Sequence, residues 1–255
     1  MKKSKAKYLT LASVVLSAGI LLSACGNSSS ATKTYNYVYT SDPSSLNYLA
    51  ENRATTNDIV VNLVDGLMEN DQYGNYIPSL AEDWSVSQDG LTYTYKLRKG
   101  VKWYTSEGEE YADVTAHDFV TGLKYAADKK AENLYLVQDS IKGLADYVEG
   151  KSSDFATVGV KAVDDYTLQY TLNQPETYWN SKTTASILSP VNEAFLKSKG
   201  DDFGSVTPSS ILSNGPYLFK SFTSKSLIEF DKNPNYWDKD NVKIEKVKLS
   251  FFCKL

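Results

Sequence analysis

Side chains able to do covalent or proton-transfer chemistry are few and scattered in this sequence. His117 is its only histidine. An imidazole is the commonest general base near neutral pH, but this one falls in the expected first turn of a helix beside Asp118, where a surface position at a helix start is the simpler reading. Cys253, close to the C-terminal residue Leu255, has no neighbouring histidine to draw off its proton, so a thiol nucleophile is unsupported. Adjacent carboxylates occur at Asp164-Asp165, Asp201-Asp202 and Glu109-Glu110. Neighbouring residues on a strand point to opposite faces, and these stretches read as turns, so the pairs are solvated punctuation rather than acid/base couples. The sequence contains no G-x-x-x-x-G-K-S/T loop to cradle a nucleotide and no His/Cys cluster spaced for a metal. The pattern reads against an enzyme, and neither cofactor nor metal is expected.

The other cysteine, Cys25, belongs to a different chemistry. "MKKSKAK" is a basic leader without acids, and residues 8–24 form an apolar run of 17 residues, short for a membrane span of about 20. Leu22-Ser23-Ala24-Cys25 looks like the lipobox of bacterial lipoproteins, in which the cysteine thiol takes a diacylglyceryl group and the chain is cut just before it. A transmembrane anchor, or an ordinary secretory cleavage site with an incidental cysteine, are the alternatives. Two acyl chains suffice for stable anchoring. "GNSSSATK" has the composition of a flexible spacer, and Cys253 has no partner once Cys25 is lipidated, so no disulfide is expected.

Composition places the remainder among folded proteins. Of 255 residues 42% are hydrophobic and 13% aromatic, with 19 tyrosines, enough for one large core or two modest ones. The net charge of −4 becomes −8 without Lys2, Lys3, Lys5 and Lys7, leaving 23 basic against 31 acidic residues. Only Arg53 and Arg98 are arginines and no basic stripe is interleaved with aromatics, which excludes a nucleic-acid partner.

The chain alternates strands and helices without repeats. "TYNYVYT" (34–40) predicts a strand and "DPSSLN" breaks it. Ile59, Val60, Leu63, Val64 and Leu67 recur at helical spacing, predicting a helix that opens at Thr55 or Thr56 and ends near Gly66. Leu91, Tyr93, Tyr95 and Leu97 alternate with polar residues between the turns Asp89-Gly90 and Lys99-Gly100. Thr115 and Asp118 resemble a capping box for a helix with the stripe Phe119, Val120, Leu123 and Ala127. "SIKGLADYVEG" predicts a second helix, "VKAVDDYTLQYTL" a hairpin around Asp164-Asp165, and "VNEAFLKSKG" a short helix stopped by Gly200. Three strands follow from residue 215 onwards. Trp84 and Trp103 read as core anchors, and Tyr236 and Trp237 as packing back on a sheet after Pro234. In "NGPY", Asn214 and Gly215 are residues that can adopt the left-handed conformation before Pro216 fixes the entry to a strand. The fold class is α/β, a mixed α+β assembly.

Four segments carry a resemblance: "DGLMENDQYGNYIPSLAEDWSVSQDGLTYTYKLRKGVKW", "VTAHDFVTGLKYA", "VDDYTLQYTL" and "NGPYLFKSF" with "KNPNYWD". In this order, over about residues 35–249, the chain resembles the oligopeptide-binding lipoproteins of ABC importers, the extracellular solute-binding proteins of family 5, and among them the streptococcal AmiA, AliA and AliB group. The resemblance implies a periplasmic-binding-protein-like two-lobed clamp, here mainly the N-terminal lobe with its extra small subdomain. Residues 1–24 are then a lipoprotein signal peptide, 25–33 a tether, 34–56 and 178–255 an incomplete first lobe, and 57–177 the inserted subdomain, with the second lobe missing.

The resemblance also implies capture of oligopeptides for ABC permease subunits by a monomer on the outer face of the cytoplasmic membrane, as on a Gram-positive cell surface, anchored through lipid on Cys25. An extended peptide would lie between the lobes and pair its backbone with strands of both. By order along the chain, Asp42, Pro43, Ser44 and Ser45 are the expected peptide contacts, with Asp42 offering a carboxylate to a basic group; a plain polar turn is the alternative. The similarity fades after "VKLS", so binding is expected to be weak or absent in a half clamp. A lipid-anchored adhesin or peptide-signal receptor without transport is the competing reading, which exposed tyrosine-rich strands would suit.

Overall fold

The computed structural model describes residues 33–252; Cys25 with its leader, and Cys253, lie outside the described residues. Strand β1 (Thr34–Tyr39) is the expected aromatic and β-branched run. Helix α1 (Ala54–Val60) leads to a hairpin of β2 (Met68–Asn70) and β3 (Tyr76–Pro78). Next come β4 (Ala81–Val86) and β5 (Thr92–Leu97), then a two-stranded ribbon of β6 (Lys102–Tyr104) and β7 (Glu110–Asp113). Helices α2 (Ala116–Asp128) and α3 (Leu144–Val148) precede the hairpin of β8 (Val160–Asp164) and β9 (Thr167–Thr171). Short helices α4 (Trp179–Lys182) and α5 (Glu193–Lys199) are followed by β10 (Tyr217–Thr223), β11 (Leu227–Lys232) and β12 (Lys246–Phe251).

The strands build two four-stranded sheets. In the first, ordered β1-β12-β11-β10, β1 lies parallel to β12 while the other pairs are antiparallel. The second, β4-β5-β9-β8, is antiparallel throughout. Its buried face is the alternation read from the sequence: Tyr93, Tyr95 and Leu97 on β5 meet Leu168 and Tyr170 on β9. Tyr95 and Tyr170 pack edge to face at 6.3 Å, and Trp179 tilts onto Tyr170 at 5.3 Å. The turn between β4 and β5 uses Gly90 at φ +72°, with Asp89 Oδ1 accepting from the Leu91 N–H at 3.1 Å.

Helix α2 packs on β8 and β9 through Phe119, Leu123 and Ala127, while Val120 is half-buried. Its start is fixed by Asp118, whose Oδ2 accepts both from the Thr115 N–H and from the Trp103 indole N–H, each at 3.0 Å. Trp103 is fully buried and Trp84 packs half-buried on the same core. The hairpin turn at Asp164-Asp165 and the stop of α5 at Gly200 also stand where the sequence puts them.

Two expectations need correction. The five apolar residues of the first helix are all buried, but α1 stops at Val60 rather than near Gly66. The carbonyls beyond it are taken by another segment. Leu63 O accepts from the N–H groups of Asn214 (3.1 Å) and Gly215 (2.9 Å) and from the Ser213 hydroxyl (2.7 Å), and Asn62 O accepts from the Tyr217 N–H at 3.0 Å. At the other end the N-cap is Arg53, not a threonine; Thr56 is buried and donates instead to Ser45 O at 2.7 Å. The second correction concerns "NGPY". Neither Asn214 nor Gly215 is left-handed. Glycine is needed at 215 for close approach, because a Cβ there would lie 2.8 Å from the Leu63 carbonyl carbon.

That contact makes a prediction. Gly215→Ala must push the 213–217 segment off Leu63, and urea unfolding should show a loss of about 2 kcal/mol. A change within about 0.5 kcal/mol would mean that the close approach carries no weight.

Candidate functional site

The stretch expected to contact ligand is occupied with its own chain. Asp42 Oδ1 accepts from the Tyr39 hydroxyl at 3.0 Å, Oδ2 accepts from the Ser224 hydroxyl at 2.6 Å, and both oxygens accept from the Lys225 N–H at 3.0 Å. Partial burial works against ionisation, but these bonds from Ser224, Lys225 and Tyr39 outweigh it and hold the carboxyl below its ordinary range. Tyr39 is pushed up to about 12 by burial and by the Asp42 carboxylate. Lys225 is left-handed at φ +53°, so Asp42 pins the strained tip of the β10–β11 hairpin. Pro43 is buried. Ser45 donates to Gly204 O at 3.2 Å and accepts from the Asn47 N–H at 2.9 Å. Ser44 is the exposed member of the four.

Two cavities flank α1, and Val61 lines both. One, of about 460 Å³, is a trough over the first sheet lined by Tyr35, Tyr37 and Tyr39 of β1 and by Pro43, Ile228, Val247 and Leu249. The other, of about 530 Å³, runs from the end of α1 to β2 and is closed on its far side by Asn133, Leu136 and residues 184–186. Its lining mixes Val60, Val64 and Met68 with Asn52, Asn57 and Ser79, a composition suited to holding a flexible ligand without chemistry.

Asp65 lies on the floor of this larger cavity and is 6% exposed. Its N–H donates to Asn214 Oδ1 at 2.8 Å, and its Oδ2 accepts from the Tyr236 hydroxyl at 2.9 Å and the Trp237 indole at 3.0 Å. The Arg98 guanidinium stacks 4.0 Å from the Trp237 ring centre and donates from Nε to Ser79 O at 2.6 Å. Burial pushes the Asp65 carboxyl up to about 7, against the pull of the two aromatic donors and with a further push from Glu69. The same cause lifts Asp118 to about 6. Two acceptors lining this cavity have no hydrogen-bond partner, Asn57 Oδ1 and Asn133 Oδ1, while the Ser79 hydroxyl serves the Asp65 and Glu69 carboxyls.

Other sequence candidates lie apart from it. His117 Nε2 sits 3.4 Å from Asp165 Oδ1 with both side chains exposed, and among the described residues no three His, Cys, Asp or Glu are grouped to hold a metal.

Residues 75–254 match the bacterial extracellular solute-binding proteins, family 5, in its middle region. The chain belongs to this family. Oligopeptide-binding protein AliB of Streptococcus pneumoniae is 75% identical over 252 residues, which is 99% of this chain and 39% of AliB. Among solved structures, Listeria monocytogenes OppA bound to peptide superposes with a TM-score of 0.80 at 31% identity, over 87% of this chain and 43% of that one. The pheromone receptor PrgZ superposes with a TM-score of 0.79 at 26% identity, over 88% and 44%. The chain thus spans about two fifths of the length of the curated relatives it matches. Family 5 members are extracellular and bind solutes rather than transform them, in keeping with the scattered reactive side chains.

Sequence reasoning did not single out Asp65, Ser79 or Asn133. One signal was available for Asp65: a lone carboxylate between the buried Val64 and Leu67 has to find donors in the core.

Raised carboxyl pKa values fix the sign of a pH dependence. Between about pH 4 and 7 the folded chain binds more protons than the unfolded one at Asp65 and Asp118, so stability falls as pH rises through that window. The Asp65 shift corresponds to at most about 4 kcal/mol. Urea unfolding at pH 5 and pH 8 should give the higher midpoint at pH 5, and Asp65→Asn should flatten the difference. An unchanged pH slope in that variant would remove Asp65 as its source.

Proposed function

We propose that this chain supplies ligand-facing structure to an extracellular receptor that captures oligopeptides and passes them to the permease of an ABC importer. The receptor is held at the outer face of the cytoplasmic membrane by lipid on Cys25. The observation that carries the reading is the open, mixed-polarity cavity floored by Asp65, in a chain 75% identical to oligopeptide-binding AliB. Backbone pairing gives an extended peptide affinity that is independent of its sequence, while a roomy cavity with polar and apolar walls tolerates varied side chains. Of the four residues 42–45, Ser44 is the one left to meet a ligand, and Asp42 acts by holding the hairpin tip.

We assign residues 34–56 and 178–255 to one lobe and 57–177 to a subdomain inserted in it. The first sheet, with β1 and β10 to β12, falls in the lobe, and the second, β4-β5-β9-β8, falls in the insertion. A second reading, reception of a peptide signal without transport, is favoured by the likeness to the pheromone receptor PrgZ. Deleting the gene separates the two: loss of peptide uptake supports transport, and a lost response with normal uptake supports signalling.

Direct binding is tested by calorimetric titration with mixed short peptides. Saturable heat at millimolar peptide is expected. Val61→Trp, placed where an exposed side chain stands at the cavity, should weaken binding by about tenfold, or about 1.4 kcal/mol. No heat at any peptide concentration would overturn the proposal.

A further inference from the structure

We propose that the cavity floored by Asp65 takes the cationic side chain, lysine or arginine, of a bound peptide. The inference rests on the peptide-binding reading above and adds a preference to it. Asp65 and Glu69 are the charged side chains lining the cavity, and no lysine, arginine or histidine lines it. Glu69 has no ion-pair partner among the described residues. The Arg98 guanidinium stacks on the Trp237 ring and donates to Ser79 O, and its charge offsets part of the push on Glu69. Two carboxylates therefore line one space, and neither forms an ion pair among the described residues.

A second observation is independent of charge. Asn133, 2% exposed, lines the cavity, and its Oδ1 lacks a hydrogen-bond partner. Buried acceptors without donors are uncommon in folded chains. An ammonium brings three donors and a guanidinium five, and neither brings an acceptor, which matches this lining. Val60, Val64 and Leu136 supply apolar wall for the methylene stem of such a side chain. Burial raises both Asp65 and Glu69 despite the Ser79 hydroxyl at each and Arg98 at Glu69, and a cation in the cavity works against that penalty.

The test uses the full chain and three probes at low salt: a pentapeptide with a central lysine among alanines, its norleucine counterpart, and n-butylammonium alone. Calorimetry should give the lysine peptide at least about tenfold tighter binding than the norleucine peptide, or about 1.4 kcal/mol. Butylammonium should shift the amide resonances of Asp65 and Glu69. Glu69→Gln and Asp65→Asn should each draw the lysine-to-norleucine ratio toward one; Glu69 is exposed, so its variant keeps the test open if Asp65→Asn unfolds. Equal binding of the two peptides overturns the cationic preference and leaves peptide binding standing. Butylammonium shifts without binding of either peptide support the cation site and defeat the peptide reading. Silence from all three probes overturns both.

Discussion

Capture of the Asn62 and Leu63 carbonyls by residues 213–217 fixes much of what surrounds it. An α-helix continues only while its carbonyls stay pointed along the axis toward N–H groups four residues on. Here three donors from the 213–215 segment converge on Leu63 O, and α1 ends at Val60 with its apolar stripe still running into the core. The same segment holds the N–H of Asp65 through Asn214, and leads directly into β10. Asn233 closes it from behind, donating from Nδ2 to Gly215 O at 3.1 Å and from its backbone N–H to Pro216 O at 2.8 Å. Without this junction the floor of the larger cavity and the edge of the first sheet would have no common reference.

Two buried carboxylates are treated alike in this chain. Asp65 and Asp118 each accept a hydrogen bond from a tryptophan indole, Trp237 and Trp103, and neither is paired with a buried cation. Neutral donors satisfy the oxygen but do not return the lost solvation of a full charge. Glu176, equally buried, is handled differently, with the Lys182 ammonium 2.8 Å away. The contrast separates carboxylates that join elements from one held as an ion pair.

Much of the fold was legible in the sequence because local signals and tertiary packing agree there. The alternation at Leu91 to Leu97, the Thr115–Asp118 pair and Gly200 each report on structure within a few residues, and each stands as read. The end of α1 was not legible, because the donors that stop it lie some 150 residues further along the chain. For the same reason Asn214 and Gly215 were misread: their conformation looked like a turn requirement, whereas the constraint at Gly215 is the backbone of Leu63. At the site, Asp42 was expected to offer its carboxylate to a basic group of a ligand, yet besides the nearby Tyr39 it accepts from Ser224 and Lys225, beyond the reach of any spacing rule. The cavity around Asp65 joins residues from α1, β2 and the 133–136 and 184–189 segments, none of which carries a motif of its own.

The parallel pairing of β1 with β12 joins residues more than two hundred positions apart, from Thr34 with Lys246 to Tyr39 with Phe251. The second sheet closes within residues 81–171. Contacts so distant along the chain close late, since the intervening length must be ordered first. A chain emerging N-terminus first therefore completes β4-β5-β9-β8 while β1 still has no neighbour. The first strand of the described residues is among the last to acquire its place.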